Sequence, residues 1–471
     1  MLLRAVLLHA LLLCLCGTIV PALAASNGAA VDTSAVSAAA VDTTTVDAIV
    51  QEWLTSTNAP SASIAIVQQG RLVYAKAYGS AQLNPSVPAT LSSRYAIDSV
   101  SKEFTAAAVL LLAQHGRLSL DDPLRKWFPM LRSAAAVTLR QLLTHTSGIR
   151  DYWPQDFVTR EMTLPTTTAA LIAEWARRPL DFEPGTDWQY SNTGYVLAGA
   201  VVEKVSGETL FEFLHGHVFT PLRMQHVAEY SPATADQASG YTRFGLAAVI
   251  AAPKEGPGWL FGAANLSMSP SDLARWDVSL LDRSLLDAAS YQSEIAPVKL
   301  KSGRLQDYAL GLDVETIRGR LRIGHSGAGS GFQADNRLWP KERAAIVVLT
   351  NSDWAPPSAL SDRLAFIVLA PPRDEARARE IFREMQNGTV DRALFTATGN
   401  FYLTAAALAD LHLSLASLGP ARFMELEQES RRGGMITRRW KILCRAARLE
   451  ATERSRPGGK IDEFMITKRQ D

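Results

Sequence analysis

The stretch that decides the fold is AIDSVSKEFT at residues 96–105, which runs directly into the apolar sequence AAAVLLLAQHG. The apolar run predicts a helix that ends at Gly116, because glycine commonly follows the last helical turn. Ser99 then lies where the helix begins. One interpretation is structural: a serine at this place accepts a hydrogen bond from an unpaired backbone N–H group.

The spacing of Ser99 and Lys102 supports a chemical interpretation. Three residues are close to one helical turn, so both side chains project from the same face and the ammonium group could reach the hydroxyl. A lysine acts as a base only when it is neutral, which requires burial or nearby positive potential such as a helix N-terminus. The sequence therefore predicts Ser99 as a nucleophile and Lys102 as its base, in the chain's single Ser-x-x-Lys motif.

A second motif lies in EPGTDWQYSNTGY at residues 183–195, ahead of an apolar helix that ends at Gly207. Tyr190 and Asn192 are two residues apart, and such positions point the same way in an extended loop. A phenol can relay protons, and an amide can orient a substrate carbonyl or the lysine. The alternative is a simple turn entering a helix.

A third motif lies in LRIGHSGAGSGF at residues 321–332, where His325-Ser326-Gly327 follows a short strand pattern. Glycine here permits close approach of the backbone, and a strand edge can donate an N–H group to a substrate carbonyl. We assign that donor to Ala328, which would complete an oxyanion hole with the N–H of Ser99.

Together the three motifs resemble those of the serine β-lactamase and D-alanyl-D-alanine peptidase superfamily, which includes penicillin-binding proteins. The branch is that of class C β-lactamases, D-aminopeptidases and related esterases. Its Ser-x-x-Lys, Tyr-x-Asn and Lys-Thr-Gly motifs are similar to Ser99–Lys102, Tyr190–Asn192 and His325–Gly327. The resemblance continues through LLTHTSGI and GAANLSMSPSDLARW and covers roughly residues 46–352. Within it, His145 is expected to be structural.

This resemblance implies an α+β, β-lactamase/transpeptidase-like fold, with an antiparallel sheet flanked by helices beside a mostly helical lobe. The site would lie in the cleft between them, where Lys102, helped by Tyr190, activates Ser99 to attack an amide, lactam or ester carbonyl. Two alternatives stay open. One is an esterase of small esters at the same site, and the other is a catalytically silent binding protein, which would have no physical need for this set of side chains.

His325 departs from the family pattern, which usually has lysine at this position. A fixed positive charge there would hold a substrate carboxylate, and histidine is a weaker anchor near neutral pH. We therefore expect softer carboxylate recognition and a change of activity in the range where histidine titrates.

The N-terminal residues 1–24 have the layout of a secretory signal, with an early Arg4, an apolar core and small residues up to Ala24. This predicts a periplasmic or secreted protein. A membrane anchor and lipidation at Cys16 are the competing interpretations. Residues 25–45 are rich in Ala, Ser, Thr and Val and are expected to form a linker.

The hydrolase domain is expected at residues 46–370 and begins with a hairpin, Ser61–Ala77, around a Gln-Gly turn. The character of the sequence changes at the proline pair 371–372. We expect residues 375–471 to form a small accessory α+β domain that covers the cleft or mediates dimer contacts, and the oligomeric state stays open. Cys444, in an apolar setting, is expected to be buried.

The composition limits the partners. The chain has 471 residues and a formal net charge of +1. It shows no basic stripe with interleaved aromatic residues, which argues against nucleic acid. No clustered metal-ligand spacing is present, so the expected partner is a small-molecule or peptide substrate, with no cofactor, no metal and no stable membrane span.

Overall fold

The computed structural model describes residues 41–155, 157–231, 236–369, 371 and 373–469. The expected signal and most of the expected linker therefore lie outside the described residues. The helices are α1 Thr43–Thr57, α2 Ser101–Gln114, α3 Leu139–Leu143, α4 Thr168–Leu171, α5 Asn192–Ser206, α6 Leu210–Leu214, α7 Pro270–Asp282, α8 Ala288–Glu294, α9 Pro357–Val368, α10 Arg373–Gln386, α11 Ala397–Tyr402 and α12 Ala405–Leu415.

The strands are β1 Ser61–Gln68, β2 Arg71–Leu83, β3 Ser86–Pro88, β4 Tyr95–Ala96, β5 Val227–Glu229, β6 Tyr241–Thr242, β7 Ile250–Ala251, β8 Leu266–Met268, β9 Asp313–Ile317, β10 Arg320–Gly329, β11 Phe332–Trp339, β12 Ala344–Thr350, β13 Phe423–Arg432, β14 Met435–Leu443, β15 Arg448–Ser455 and β16 Ile461–Lys468. Seven of them form the main sheet in the order β3-β2-β1-β12-β11-β10-β9.

The centre of the main sheet is buried on both faces, and β1 shows why. Its sequence SASIAIVQ is apolar nearly throughout, and alternate side chains of a strand point to opposite faces. Ile64 and Ile66 pack with α1 and α9 on one face, whereas Ala65 and Val67 belong to the larger core on the other face, where α7 lies. The sheet therefore forms the middle layer.

The predicted hairpin at the start of the sheet is present. Gln69 and Gly70 both have positive φ, 52° and 74°, as a two-residue turn between twisted strands requires. At the N-terminus, Asp42 caps α1 by accepting hydrogen bonds from Thr44 and Thr45. The helix therefore begins at Thr43, slightly ahead of the expected start of the domain.

Helix α2 lies between the sheet and the helical lobe. All of its residues from Ser101 to Leu112 are buried, because it packs against α5, α6 and α8. An apolar surface all round is typical of such a central helix. The helix ends two residues before the predicted position: α2 stops at Gln114, and Gly116 follows with a φ of 68°. The residues just before α2, which include Ser99, are thereby held where the sheet meets the helical lobe.

The C-terminal region has its own core of buried side chains from α10, α12 and a four-stranded antiparallel sheet in the order β13-β14-β15-β16. Cys444 is buried in this core, as expected. Phe366 of α9 packs edge-on against Phe423 of β13, with ring centres 4.6 Å apart. The whole is the α+β architecture that the resemblance implies. Among the described residues, no helix has the length and apolar character needed to cross a membrane.

Three buried carboxylic acids lie behind α2. Glu103, Asp277 and Glu294 are each fully buried. Burial raises the pKa of all three, and the charge of Glu103 adds to this effect on Asp277 and Glu294. The Glu103 carboxylate accepts a hydrogen bond of 2.7 Å from Trp276. Burial raises the pKa of Glu103 to about 8, so this side chain is mostly protonated at neutral pH.

This cluster predicts that stability falls as the pH rises. The pKa of Glu103 is about 8 when folded and near 4.5 when exposed, so its stabilisation is full below 4.5 and is lost as the pH rises to about 8. We expect the Tm of the wild type to fall steadily relative to that of Glu103→Gln from pH 5 to pH 8, measured by circular dichroism. Glu161→Gln, at an exposed position, is the control. A constant difference would contradict the prediction.

Candidate active site

Ser99 is presented on a short 3₁₀ turn, Asp98–Val100, immediately before α2. Its neighbours Asp98 and Val100 are buried, but Ser99 is partly exposed. The residue that precedes α2 is Val100, and no side chain caps the helix there. The structural interpretation of Ser99 as a helix cap is therefore wrong, and its hydroxyl lies instead within 2.9 Å of the Lys102 Nζ.

Lys102 is fully buried, and its Nζ makes three contacts: the Ser99 Oγ at 2.9 Å, the Asn192 Oδ1 at 2.8 Å and the Ala263 carbonyl at 2.9 Å. Oδ1 and the carbonyl can only accept hydrogen bonds. They take both N–H groups of a neutral amine, so its lone pair faces the Ser99 hydroxyl. The geometry is that of a base poised to take the serine proton.

The pKa of Lys102 fits this role. Burial lowers it to about 7, and the negative charges of Asp151 and Asp98 oppose that effect. About half of the lysine is therefore neutral at neutral pH. Of the two causes that the sequence analysis considered, burial and a helix N-terminus, burial is the main one.

Asn192 is held by Asp151, a residue that the sequence analysis missed. The Asp151 carboxylate accepts a hydrogen bond of 3.0 Å from the Asn192 backbone N–H and one of 3.2 Å from its side-chain Nδ2. The Asn192 Oδ1 is thereby turned towards Lys102. Of the two roles considered for this amide, the contacts favour orienting the lysine.

Replacing Asp151 with asparagine is expected to change the pH dependence as well as the rate. The negative charge of Asp151 raises the pKa of Lys102, so its removal lowers that pKa and moves the acidic limb of kcat/KM to lower pH. Loss of one acceptor for Asn192 should also slow acylation by about ten- to hundredfold through misplacement of the lysine. If the variant is slower but the acidic limb of its kcat/KM profile stays at the wild-type pH, the expected effect of the Asp151 charge on the pKa of Lys102 is contradicted.

Tyr190 lies over the lysine, with the Lys102 Nζ 4.8 Å from the ring centre. Burial raises the pKa of Tyr190 above its ordinary value, and the neighbouring Ser99 hydroxyl opposes only part of this effect. Tyr190 is therefore a neutral phenol at the pH where Lys102 is already partly neutral. The two candidate bases are thus distinguished: the lysine accepts the proton and the phenol can pass one on.

His145 supports the loop that carries Tyr190 and Asn192. Its Nδ1 accepts a hydrogen bond of 3.1 Å from the Ser191 backbone N–H, and its ring lies 4.2 Å from that of Tyr190. Burial lowers its pKa well below the usual value, so it is neutral. These contacts are those of a positioning residue.

His325 does not behave as the sequence analysis expected. Its Nδ1 lies 2.5 Å from the Ser326 carbonyl, which can only accept, and its Nε2 lies 3.0 Å from the Tyr308 hydroxyl. Both nitrogens are therefore occupied. Burial lowers the pKa of His325 to about 3, so the expected titration in the histidine range is wrong for this residue. A neutral His325 supplies no positive charge for a substrate carboxylate.

The strand register places the Ala328 N–H at an open edge. Gly329 pairs with Phe332 across a two-residue turn, and alternate residues of an antiparallel strand point their backbone groups to opposite sides. Ala328 therefore points away from β11, towards the side where β9 pairs. That pairing ends at Gly324, so among the described residues no strand pairs with the Ala328 N–H, which faces the side where a ligand could accept from it.

Gly327 allows this edge to lie against the nucleophile. A Cβ atom at Gly327 would stand 2.1 Å from the Ile97 carbonyl oxygen, two residues before Ser99. Only a residue without a side chain permits that approach. The two backbone donors assigned to the oxyanion hole, Ser99 and Ala328, are thus carried by segments in direct contact.

The structure brings together Ser99, Lys102, Tyr190 and Asn192, and places His325, Gly327 and Ala328 along the adjoining strand. Three contributors were not predicted individually: Asp151, the Ala263 carbonyl and Tyr308. Asp151 lies just beyond LLTHTSGI, and Ala263 lies inside GAANLSMSPSDLARW, two segments that carry the resemblance. No motif in the sequence indicated Tyr308. Across the described ranges, no three His, Cys, Asp or Glu side chains are grouped to hold a metal ion.

The chain is similar to known proteins in sequence and in structure. Residues 46–370 match the family model described as Beta-lactamase. The chain is 28% identical over 310 residues to penicillin-binding protein 4* of Bacillus subtilis (strain 168), covering 62% of this chain and 68% of that protein.

Two solved structures extend the likeness. The octameric penicillin-binding protein homologue from Pyrococcus abyssi has a TM-score of 0.63 at 22% identity, covers 90% of this chain and 99% of its own, and shows a shared fold. The D-stereospecific amidohydrolase from Streptomyces sp. has a TM-score of 0.59 at 26% identity and covers 69% of this chain and 99% of its own. The chain therefore belongs to the beta-lactamase family, within the superfamily of serine hydrolases that includes penicillin-binding proteins.

Proposed function

We infer that the protein is an exported serine hydrolase that forms an acyl-enzyme at Ser99 on an amide, lactam or ester carbonyl. The observation that carries this proposal is the contact of Lys102 with Ser99 on one side and with two obligate acceptors on the other. A covalent route divides one difficult hydrolysis into two acyl transfers.

In the first transfer, the neutral Lys102 amine takes the Ser99 proton as Oγ bonds to the carbonyl carbon. The carbonyl oxygen becomes an oxyanion, which the N–H groups of Ser99 and Ala328 stabilise. The proton then passes, by way of the Tyr190 phenol, to the leaving nitrogen or oxygen as its bond to the acyl carbon breaks. In the second transfer, a water molecule gives a proton to Lys102 as its oxygen bonds to the acyl carbon. The bond from that carbon to the Ser99 Oγ then breaks, and Lys102 returns the proton to Oγ, which restores the hydroxyl and the neutral amine.

The test is the intact mass of the protein after incubation with a fluorophosphonate. We expect a single phosphonyl adduct on the wild type and on Ser326→Ala, a control at an exposed serine of the third motif, and none on Ser99→Ala. Labelled wild type would justify a screen of penicillins, D-aminoacyl amides and nitrophenyl esters. A folded wild type that takes no adduct would favour the silent binding protein.

Export is the other part of the proposal, and it rests on the sequence pattern of residues 1–24. N-terminal sequencing of the mature protein is expected to find a start close after Ala24. A start before residue 20 would exclude simple cleavage at this place and favour an anchor or a lipidated Cys16.

A further inference from the structure

Two carboxylic acids beside the nucleophile take no part in the mechanism above. Asp98 directly precedes Ser99, and Glu255 accepts a hydrogen bond from the Ser330 hydroxyl, two residues beyond Ala328. Burial raises the pKa of Asp98 well above its usual value, and the nearby charge of Glu255 adds to this effect. Neither carboxyl group is in an ion pair with a lysine or arginine of the described part of the chain, although the charge of Lys102 lowers the pKa of Asp98 and so opposes part of the effect of burial.

Asp98 is the more unusual of the two. It is 3% exposed, and its Oδ2 has no hydrogen-bond partner among the described residues. Its φ of 45° is one that residues other than glycine rarely adopt. The carboxyl group is accommodated only because Gly329 has no side chain, since a Cβ there would lie 2.2 Å from the Asp98 Oδ1. Leaving such a group unpaired is costly, so a partner from outside the protein is indicated.

Glu255 and Tyr230 provide the rest of a recognition surface. Both are partly exposed, whereas Asp98 is buried. Burial raises the pKa of Tyr230, and the charges of the nearby Glu255 and Asp98 add to this effect. The ring is fixed by edge-on packing against Phe332, at 5.7 Å between centres. Carboxylates and an aromatic face around one space are the groups that bind an ammonium ion.

We propose that Asp98, Glu255 and Tyr230 form a subsite for a primary ammonium group next to the reacting carbonyl, so that aminoacyl substrates with a free amine are preferred over N-acylated ones. The subsite rests on the proposed function, because it is useful only if the neighbouring carbonyl is delivered to Ser99. Two contacts define its position. Asp98 adjoins Ser99, and Glu255 accepts a hydrogen bond from Ser330, in the turn that follows the strand carrying Ala328.

The test is protection of Ser99 from a fluorophosphonate at pH 7, followed by intact mass. The protecting ligands are D-alaninamide, which carries the ammonium group, and N-acetyl-D-alaninamide, which does not. In the wild type, we expect half-protection at a lower concentration of D-alaninamide. In Glu255→Gln, that concentration should rise by about tenfold, the loss expected for one charge-assisted hydrogen bond, while that of the acetylated amide should change little.

Asp98→Asn is the second variant, because asparagine tolerates a positive φ. It should weaken protection by D-alaninamide in the same selective way. Glu161→Gln is the control, since it removes the same charge from an exposed side chain on a neighbouring loop. Equal protection by both amides in the wild type, or an unchanged ratio in both subsite variants, would overturn the subsite. Absence of any labelling of the wild type would instead overturn the proposed function on which the subsite rests.

Discussion

Replacing Lys102 with methionine is expected to slow acylation of Ser99 by about 10³-fold or more, because it removes the general base and nothing else nearby can take its place. Methionine has a similar length and is suited to the fully buried position. Tyr190 cannot substitute, since burial raises its pKa and keeps it a phenol. The measurement is the rate of fluorophosphonate labelling by intact mass, with the melting temperature as a check on folding.

The same lysine sets the pH dependence of the wild type. Because the reactive form is the neutral amine and its pKa is about 7, kcat/KM should rise about tenfold per pH unit below 7 and level off above it. His325 does not contribute, as its pKa is about 3. The rising limb should therefore stay at the same pH in His325→Gln, whatever that variant's absolute rate. A flat wild-type profile between pH 5 and 9, or a limb that disappears with His325, would refute the assignment.

The pairing of Ser99 with Lys102 could be predicted from the sequence because it is local. One helical turn fixes which side chains share a face, and the apolar run behind them identifies a buried helix. The same holds for the hairpin, whose turn and alternating pattern lie within a few residues. Local geometry of this kind is contained in the spacing of the residues.

The environment of the lysine could not be predicted in this way. The Ala263 carbonyl, which accepts a hydrogen bond from Lys102, lies 161 residues from it in the sequence. The Asp151 carboxylate, which holds Asn192, lies 41 residues from that asparagine. The state of His325 was misjudged for a related reason. Its residue type predicts a group that titrates near neutrality, but its pKa is set by burial, which depends on the packing of the whole cleft.

The resemblance supplied what spacing alone could not, which is the association of three separated motifs in one cleft. It did not predict what replaces the family pattern where this chain departs from it. At the third motif, the family's usual lysine would be a permanent cation, whereas here a neutral histidine accepts a hydrogen bond from Tyr308. Among the described residues, Lys102 is the cationic side chain in contact with Ser99. The subsite proposed at Asp98 and Glu255 would add a preference for substrates that bring a cation rather than a carboxylate.

Replacing Gly327 with alanine is expected to reduce the labelling rate of Ser99 by about 10²-fold, although the side chain added is only a methyl group. The new Cβ would stand 2.1 Å from the Ile97 carbonyl oxygen, far inside van der Waals contact. Both partners are backbone, so relief requires β10 or the 3₁₀ turn at Ser99 to move by an ångström or more. Either movement separates the two N–H groups of the oxyanion hole.

Gly216→Ala is the matched control, because a Cβ there would meet nothing within 4 Å. It should label at the wild-type rate. Gly327→Ala should remain folded with a lower melting temperature, since overpacking of this kind costs about 1–3 kcal/mol. Wild-type labelling by Gly327→Ala would mean that the contact between β10 and the nucleophile turn is not needed for acylation, and the Ala328 N–H would then lose its place in the oxyanion hole.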